Sequence, residues 1–124
     1  MEVAVTARLN PTESKEKLLK ALENVFPDME FKLADGLFEA FGEGKETLAI
    51  LKEHLKLQLI RASARSFLRA RIEDDALSFG IHKQAAYMGK ISFIDFPIAL
   101  GPITIEITGK DSDELETLVE WLCE

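Results

Sequence analysis

Apolar and polar residues alternate at the start of the chain. Val3, Val5, Ala7 and Leu9 are separated by Ala4, Thr6 and Arg8, the period of a strand covered on one face. Asn10-Pro11-Thr12-Glu13 then predicts a helix start, with Asn10 as cap, Pro11 at the first helical position and Glu13 closing a capping box. Leu18, Leu19, Leu22, Val25 and Phe26 form its buried stripe, and Pro27 ends it. Two short strands follow, around Met29–Ala34 and Leu37–Gly42, with Asp35-Gly36 as a two-residue hairpin turn.

From Lys45 to Arg71 there is neither Gly nor Pro. One helix of that length would reach about 40 Å, the full width of so small a protein. Leu48, Leu51, Leu55 and Leu59 lie on one helical line, and Leu57, Ile60, Ala64, Phe67 and Leu68 on another, turned by about 150° at ~100° per residue. An unbroken helix would bury opposite faces at its two ends. The pattern therefore predicts two helices that meet near Leu57-Gln58. Glu73-Asp74-Asp75 reads as a polar turn, Leu77, Phe79 and Ile81 as a fourth strand, and Ile91–Ile94 as a fifth. Gly101-Pro102 opens a sixth, with Ile103, Ile105 and Ile107 inward. Asp111 caps a last helix whose stripe is Leu115, Leu118, Val119 and Leu122, with Glu114 completing the capping box. The order β-α-β-β-α-α-β-β-β-α predicts an α+β fold, a mixed sheet with helices packed on one side, in a single domain over residues 1–124.

Charge changes this picture in one place. Residues 60–92 hold six basic side chains (Arg61, Arg65, Arg69, Arg71, Lys83, Lys90) against Glu73, Asp74 and Asp75, a balance of +3 in a chain of net charge −7. Three uses fit such a segment: an acidic partner, a subunit interface, or internal ion pairs. The net negative charge opposes general coating of nucleic acid, whose affinity comes from phosphate neutralisation. No run of about 18 apolar residues exists to span a membrane, and the first residues lack the basic-then-apolar order of a signal region. The single cysteine, Cys123, precludes an internal disulfide or a cysteine-built zinc site and fits a reducing cytoplasm.

Three strings carry a resemblance. Ala64-Arg65-Ser66-Phe67-Leu68, Lys83-Gln84-Ala85-Ala86-Tyr87-Met88-Gly89-Lys90 and Leu100-Gly101-Pro102-Ile103, together with Pro11-Thr12-Glu13, resemble the archaeal uncharacterised protein family 0201 along nearly the whole chain. The resemblance implies a fold similar to that of the 5S-RNA-binding ribosomal protein, and a homodimer. It implies no catalytic site. Members of that family often carry a glycine just before the glutamine that matches Gln58, where this chain has Leu57.

Arg61, Arg65 and Arg69 recur every four residues and share one helix stripe. Arginine forks suit phosphate, so these three with Lys83, Gln84, Tyr87 and Lys90 are the candidate contacts to RNA or to a partner subunit. The competing reading, which the net charge favours, pairs the arginines with carboxylates of the same protein or its dimer mate. Tyr87 between Lys83 and Lys90 could stack a base, but stacking platforms use several aromatics, and a tight connection packed on a second subunit fits the alanines and glycine better. Gly42-Glu43-Gly44-Lys45 fails as a phosphate loop because Glu46 stands where Ser or Thr is required. His54 and His82 form no catalytic pattern with Ser66 or Cys123. The sequence thus predicts a non-enzymatic, cytoplasmic, homodimeric binding or assembly module. RNA binding through Arg61–Lys90 is the alternative. No cofactor, metal, membrane or DNA partner is expected.

Overall fold

The alternation at Val3, Val5 and Ala7 becomes strand β1 (Glu2–Arg8) in a computed structural model that describes residues 1–124. The other elements are α1 (Lys15–Val25), β2 (Lys32–Ala34), β3 (Leu37–Glu43), a 3-10 turn (Lys45–Leu48), α2 (Ala49–Leu57), α3 (Arg61–Arg69), β4 (Ile72–Glu73), β5 (Ala76–Ile81), α4 (Lys83–Tyr87), β6 (Phe93–Ile94), β7 (Ile103–Thr108) and α5 (Ser112–Leu122). The seven strands form one sheet in the order β2-β3-β1-β7-β5-β4, with β6 on the same edge of β5 as β4. Every pairing is antiparallel, where a mixed sheet was expected. The α+β class stands. Register places Val5 opposite Ala40 and Ile105, and Ile105 opposite Phe79, so the apolar side chains of four strands share one face. Helices cover that face, and 29 buried residues form one continuous core. No helix is long and apolar enough to cross a membrane.

Helix α1 starts one turn later than the sequence predicts. Ser14 is its cap, with Oγ accepting from Lys17 N. Half of the expected box does form, because Glu13 Oε1 accepts from Asn10 N at 3.0 Å. The other half does not: the Asn10 side chain donates to Glu13 Oε1 and to Leu100 O rather than accepting from the helix. A demand from outside the helix has displaced its cap.

The predicted break lies at Gln58. Gln58 N–H donates to His54 O, Leu59 N–H to Lys56 O and Ile60 N–H back to Leu55 O, and Leu59 has φ +59°. These are the bonds of a Schellman cap, with leucine at the left-handed position that glycine usually fills. The missing glycine matters at Leu59, two residues beyond the position the family pattern suggested. Leu57 and Leu59 were expected in the buried stripes; instead they are 71% and 83% exposed, because the reversal turns this corner outward. Since a left-handed leucine costs about 1–2 kcal/mol and its side chain packs against little, Leu59→Gly should stabilise the protein, by up to about 1 kcal/mol after glycine's own entropy cost. Urea denaturation of the variant checks this.

Two further corrections concern short elements. Ile72–Glu73 pairs with Ala76–Leu77, so Asp74-Asp75 is the turn of a hairpin, with Asp74 at φ +56°. The segment expected as a tight connection from Lys83 to Lys90 is helix α4, closed by Gly89 at φ +78°.

Candidate functional site

Arg61, Arg65 and Arg69 do share a stripe of α3, and it faces the end of α5. Arg61 Nη1 donates to Glu124 O and Arg65 Nη2 to Cys123 O, each at 3.0 Å. The end of a helix carries partial negative charge, so Arg65 at the C-cap carbonyl of Cys123 is favourably placed, while Arg61 binds the residue just beyond the helix. Arg65 Nε lies 3.3 Å from Glu120 Oε2, shielded from solvent but not aligned for a hydrogen bond, so charge holds that contact. Arg69 Nη1 stands 3.6 Å from the other Glu120 oxygen. Arg71 stacks on the Phe67 ring at 3.4 Å and donates to Phe67 O.

Lys83 is the one charged residue inside the core boundary, 8% exposed. Its ammonium donates to Arg8 O at 2.6 Å, Leu100 O at 2.7 Å and Glu13 Oε1 at 2.9 Å. All three protons are engaged, which removes Lys83 from the set of side chains able to reach a phosphate. Burial works against the charge on Glu13, but the Asn10 amide groups and Lys83 outweigh it and hold its pKa below the ordinary carboxylate value. This cluster ties the ends of β1 and α4 and the loop at Leu100 together.

Helix α4 faces α1, away from the arginine stripe. Ala86 is buried in the core, and Asn24 Nδ2 donates to both Ala86 O and Tyr87 O. Ala86, one of the two alanines expected to meet a second subunit, therefore packs within the chain. Tyr87 is half-buried, with Lys20 Nζ 5.2 Å from its ring centroid. Gln84 and Lys90 are exposed. Gln58, at the helix break, accepts from Ile91 N at 2.6 Å and donates to Ile91 O at 3.1 Å, so the break and the end of the Lys83–Lys90 string are fastened to each other. The expected contact residues thus divide into an α3–α5 group, the enclosed Lys83, and an α4 group.

Each histidine has one ring nitrogen bonded to the backbone. His54 Nε2 bonds to Asn24 O, and His82 Nδ1 accepts from Gln84 N. Burial pushes the Cys123 thiol up despite the nearby Arg65 and Lys52. No group of three or more His, Cys, Asp or Glu side chains is arranged to hold a metal ion. Sequence reasoning missed Glu13 as the partner of Lys83. The two stand 70 positions apart, and only the capping-box motif singled Glu13 out.

Comparison with known proteins agrees with this architecture. Residues 2–109 match a family model described as RNA binding. A UPF0201 protein of Metallosphaera sedula is 39% identical over 97% of this chain and 85% of its own length. One of Methanothermobacter thermautotrophicus is 36% identical over 98% of this chain and 89% of its own. The crystal structure of the Methanococcus jannaschii UPF0201 protein superposes with a TM-score of 0.85 at 28% identity over 100% of both chains. Matched along nearly its whole length in both sequence and fold, the chain belongs to the UPF0201 family of uncharacterised archaeal proteins.

Proposed function

We propose that the chain is a non-enzymatic cytoplasmic binding or assembly module that works as a homodimer, and that its basic segment serves the fold rather than RNA. One observation carries this reading: Arg61, Arg65 and Lys83 donate to acceptors of their own protein, and Arg69 lies in charge contact with its Glu120. The His54 ring bond to Asn24 O and the raised thiol of Cys123 support the absence of catalysis. For the dimer, support comes from the resemblance to the family and from Leu57, Leu59 and Met88, which expose apolar surface at the helix break and the end of α4.

RNA is the second reading, favoured by the description of the matching family model. The uncovered sheet face gives it little support. Register aligns Phe41, Ala4, Glu106 and Ser78 in one row, with Glu2 opposite Glu43 and Thr6 opposite Glu39 in the rows beside it. Sheets that bind RNA offer several aromatics on this face, in a positive field. Here one phenylalanine stands among carboxylates.

Three measurements test the proposal. Sedimentation at micromolar concentration should give a dimer, and a persistent monomer would overturn that part. Titration with single-stranded and structured RNA at about 50 and 200 mM salt should give no salt-dependent binding. Arg65→Ala should cost about 1–2 kcal/mol of stability, a modest figure because the Glu120 contact is partly screened by solvent. Micromolar RNA affinity, with a salt slope made shallower by about one unit in Arg65→Ala, would establish the RNA reading instead.

A further inference from the structure

Between α1, α4 and the loop at 98–101 lies a groove of about 660 Å³. That is within the range of sites for small organic ligands, about 300–1,000 Å³. Its walls are mainly apolar, with Leu18 and Ala21 on one side, Ile98 and Leu100 on another, and Met88 at the mouth. Met88 is 69% exposed, an unusual amount of apolar surface for a position beside a cavity.

The polar groups decide what could fill it. Lys83 and Glu13 meet there as a closed pair, so their charges cancel. Lys17 also lines the groove and has no carboxylate within 4.0 Å, which leaves one uncompensated positive charge. His82 accepts the Gln84 N–H at Nδ1, so its proton sits on Nε2 and the free edge of the ring is a donor. The Gln84 side chain adds amide donors. A concavity that shows an anion one cation and neutral donors, in a protein of net charge −7, is complementary to a single negative charge. A di- or triphosphate would bring more charge than one lysine offsets. A nucleobase would compete for the Tyr87 ring with the Lys20 ammonium, 5.2 Å from its centroid.

The geometry points to this groove as a binding site for a small amphipathic monoanion, a carboxylate with a compact apolar body. The carboxylate lies toward Lys17 and His82, and the apolar body lies along Leu18, Ile98, Leu100 and Met88. The site shares Met88 with the surface proposed for the homodimer but does not need a second copy to be complete.

Octanoate and its uncharged counterpart octanol serve as probes, followed by amide chemical shifts of the full chain. Octanoate should saturate, with shifts confined to residues 12–21, 82–88 and 98–101, and octanol should bind about tenfold more weakly. Lys17→Glu, an exposed change with little effect on folding, should abolish octanoate binding and leave octanol binding unchanged. Met88→Ala should weaken both. Equal affinity for the two probes, shifts outside the groove, or no saturation would overturn the assignment. So would groove shifts that follow protein concentration without probe, because a second copy would then be the occupant.

Discussion

Lys83→Met should be among the most damaging single substitutions in this protein, costing about 3–5 kcal/mol at neutral pH. Methionine replaces the stem of the side chain, so little packing is lost. What goes is the ammonium that serves Arg8 O, Leu100 O and Glu13 Oε1, leaving a carboxylate 12% exposed without its counter-charge. The pH dependence gives the cause a signature. The folded-state pKa of Glu13 is lowered, so its ionisation contributes stability above the unfolded value, about 4.3, and that contribution is lost as pH falls through the folded value. The gap between wild type and Lys83→Met should therefore narrow in acid. Adding Glu13→Gln to Lys83→Met should restore part of the loss at neutral pH, since the amide oxygen can still accept from Asn10. Urea denaturation at neutral and acid pH measures wild type and both variants. A gap that does not change with pH would mean that packing, not charge, explains the cost.

Leu55→Ala should cost about 2–5 kcal/mol, through lost burial and the cavity left behind. Leu55 is fully buried on the last turn of α2, and its carbonyl receives the Ile60 N–H that closes the break. Two residues on, Leu57→Ala should stay within about 0.5 kcal/mol, because that side chain is exposed. Chemical denaturation midpoints at unchanged slope would separate the two. Similar losses at both positions would mean that the helix does not turn at Gln58.

Much of the architecture was legible because it rests on period and punctuation. Alternation at Val3, Val5 and Ala7, and again at Ile103, Ile105 and Ile107, marked the inward faces of β1 and β7. Asp35-Gly36 marked a hairpin, and both residues adopt the positive φ its turn requires. The shift of the apolar stripe located the break at Gln58 without glycine or proline to mark it, since no straight helix can bury two opposed lines against one sheet.

The misreadings arise where a contact other than the repeat itself decides the outcome. Asn10 was expected to cap a helix, but its side chain is held by Glu13 and Leu100 O, and the helix begins at Ser14 instead. Lys83 looks in sequence like Lys90, a cation beside an aromatic. Burial beside Glu13 makes it structural, while Lys90 stays in solvent. Leu57 and Leu59 carried the helical period, but the reversal between the helices turned them outward. Periodicity depends only on neighbours along the chain, so the sequence alone determined the long periodic elements and their inward faces, but not the short helix α4 or the outward turn of Leu57 and Leu59. Whether a charge meets water, a carbonyl or an opposite charge depends on residues up to 75 positions away, as with Lys83 and Arg8, and only the tertiary structure decided that.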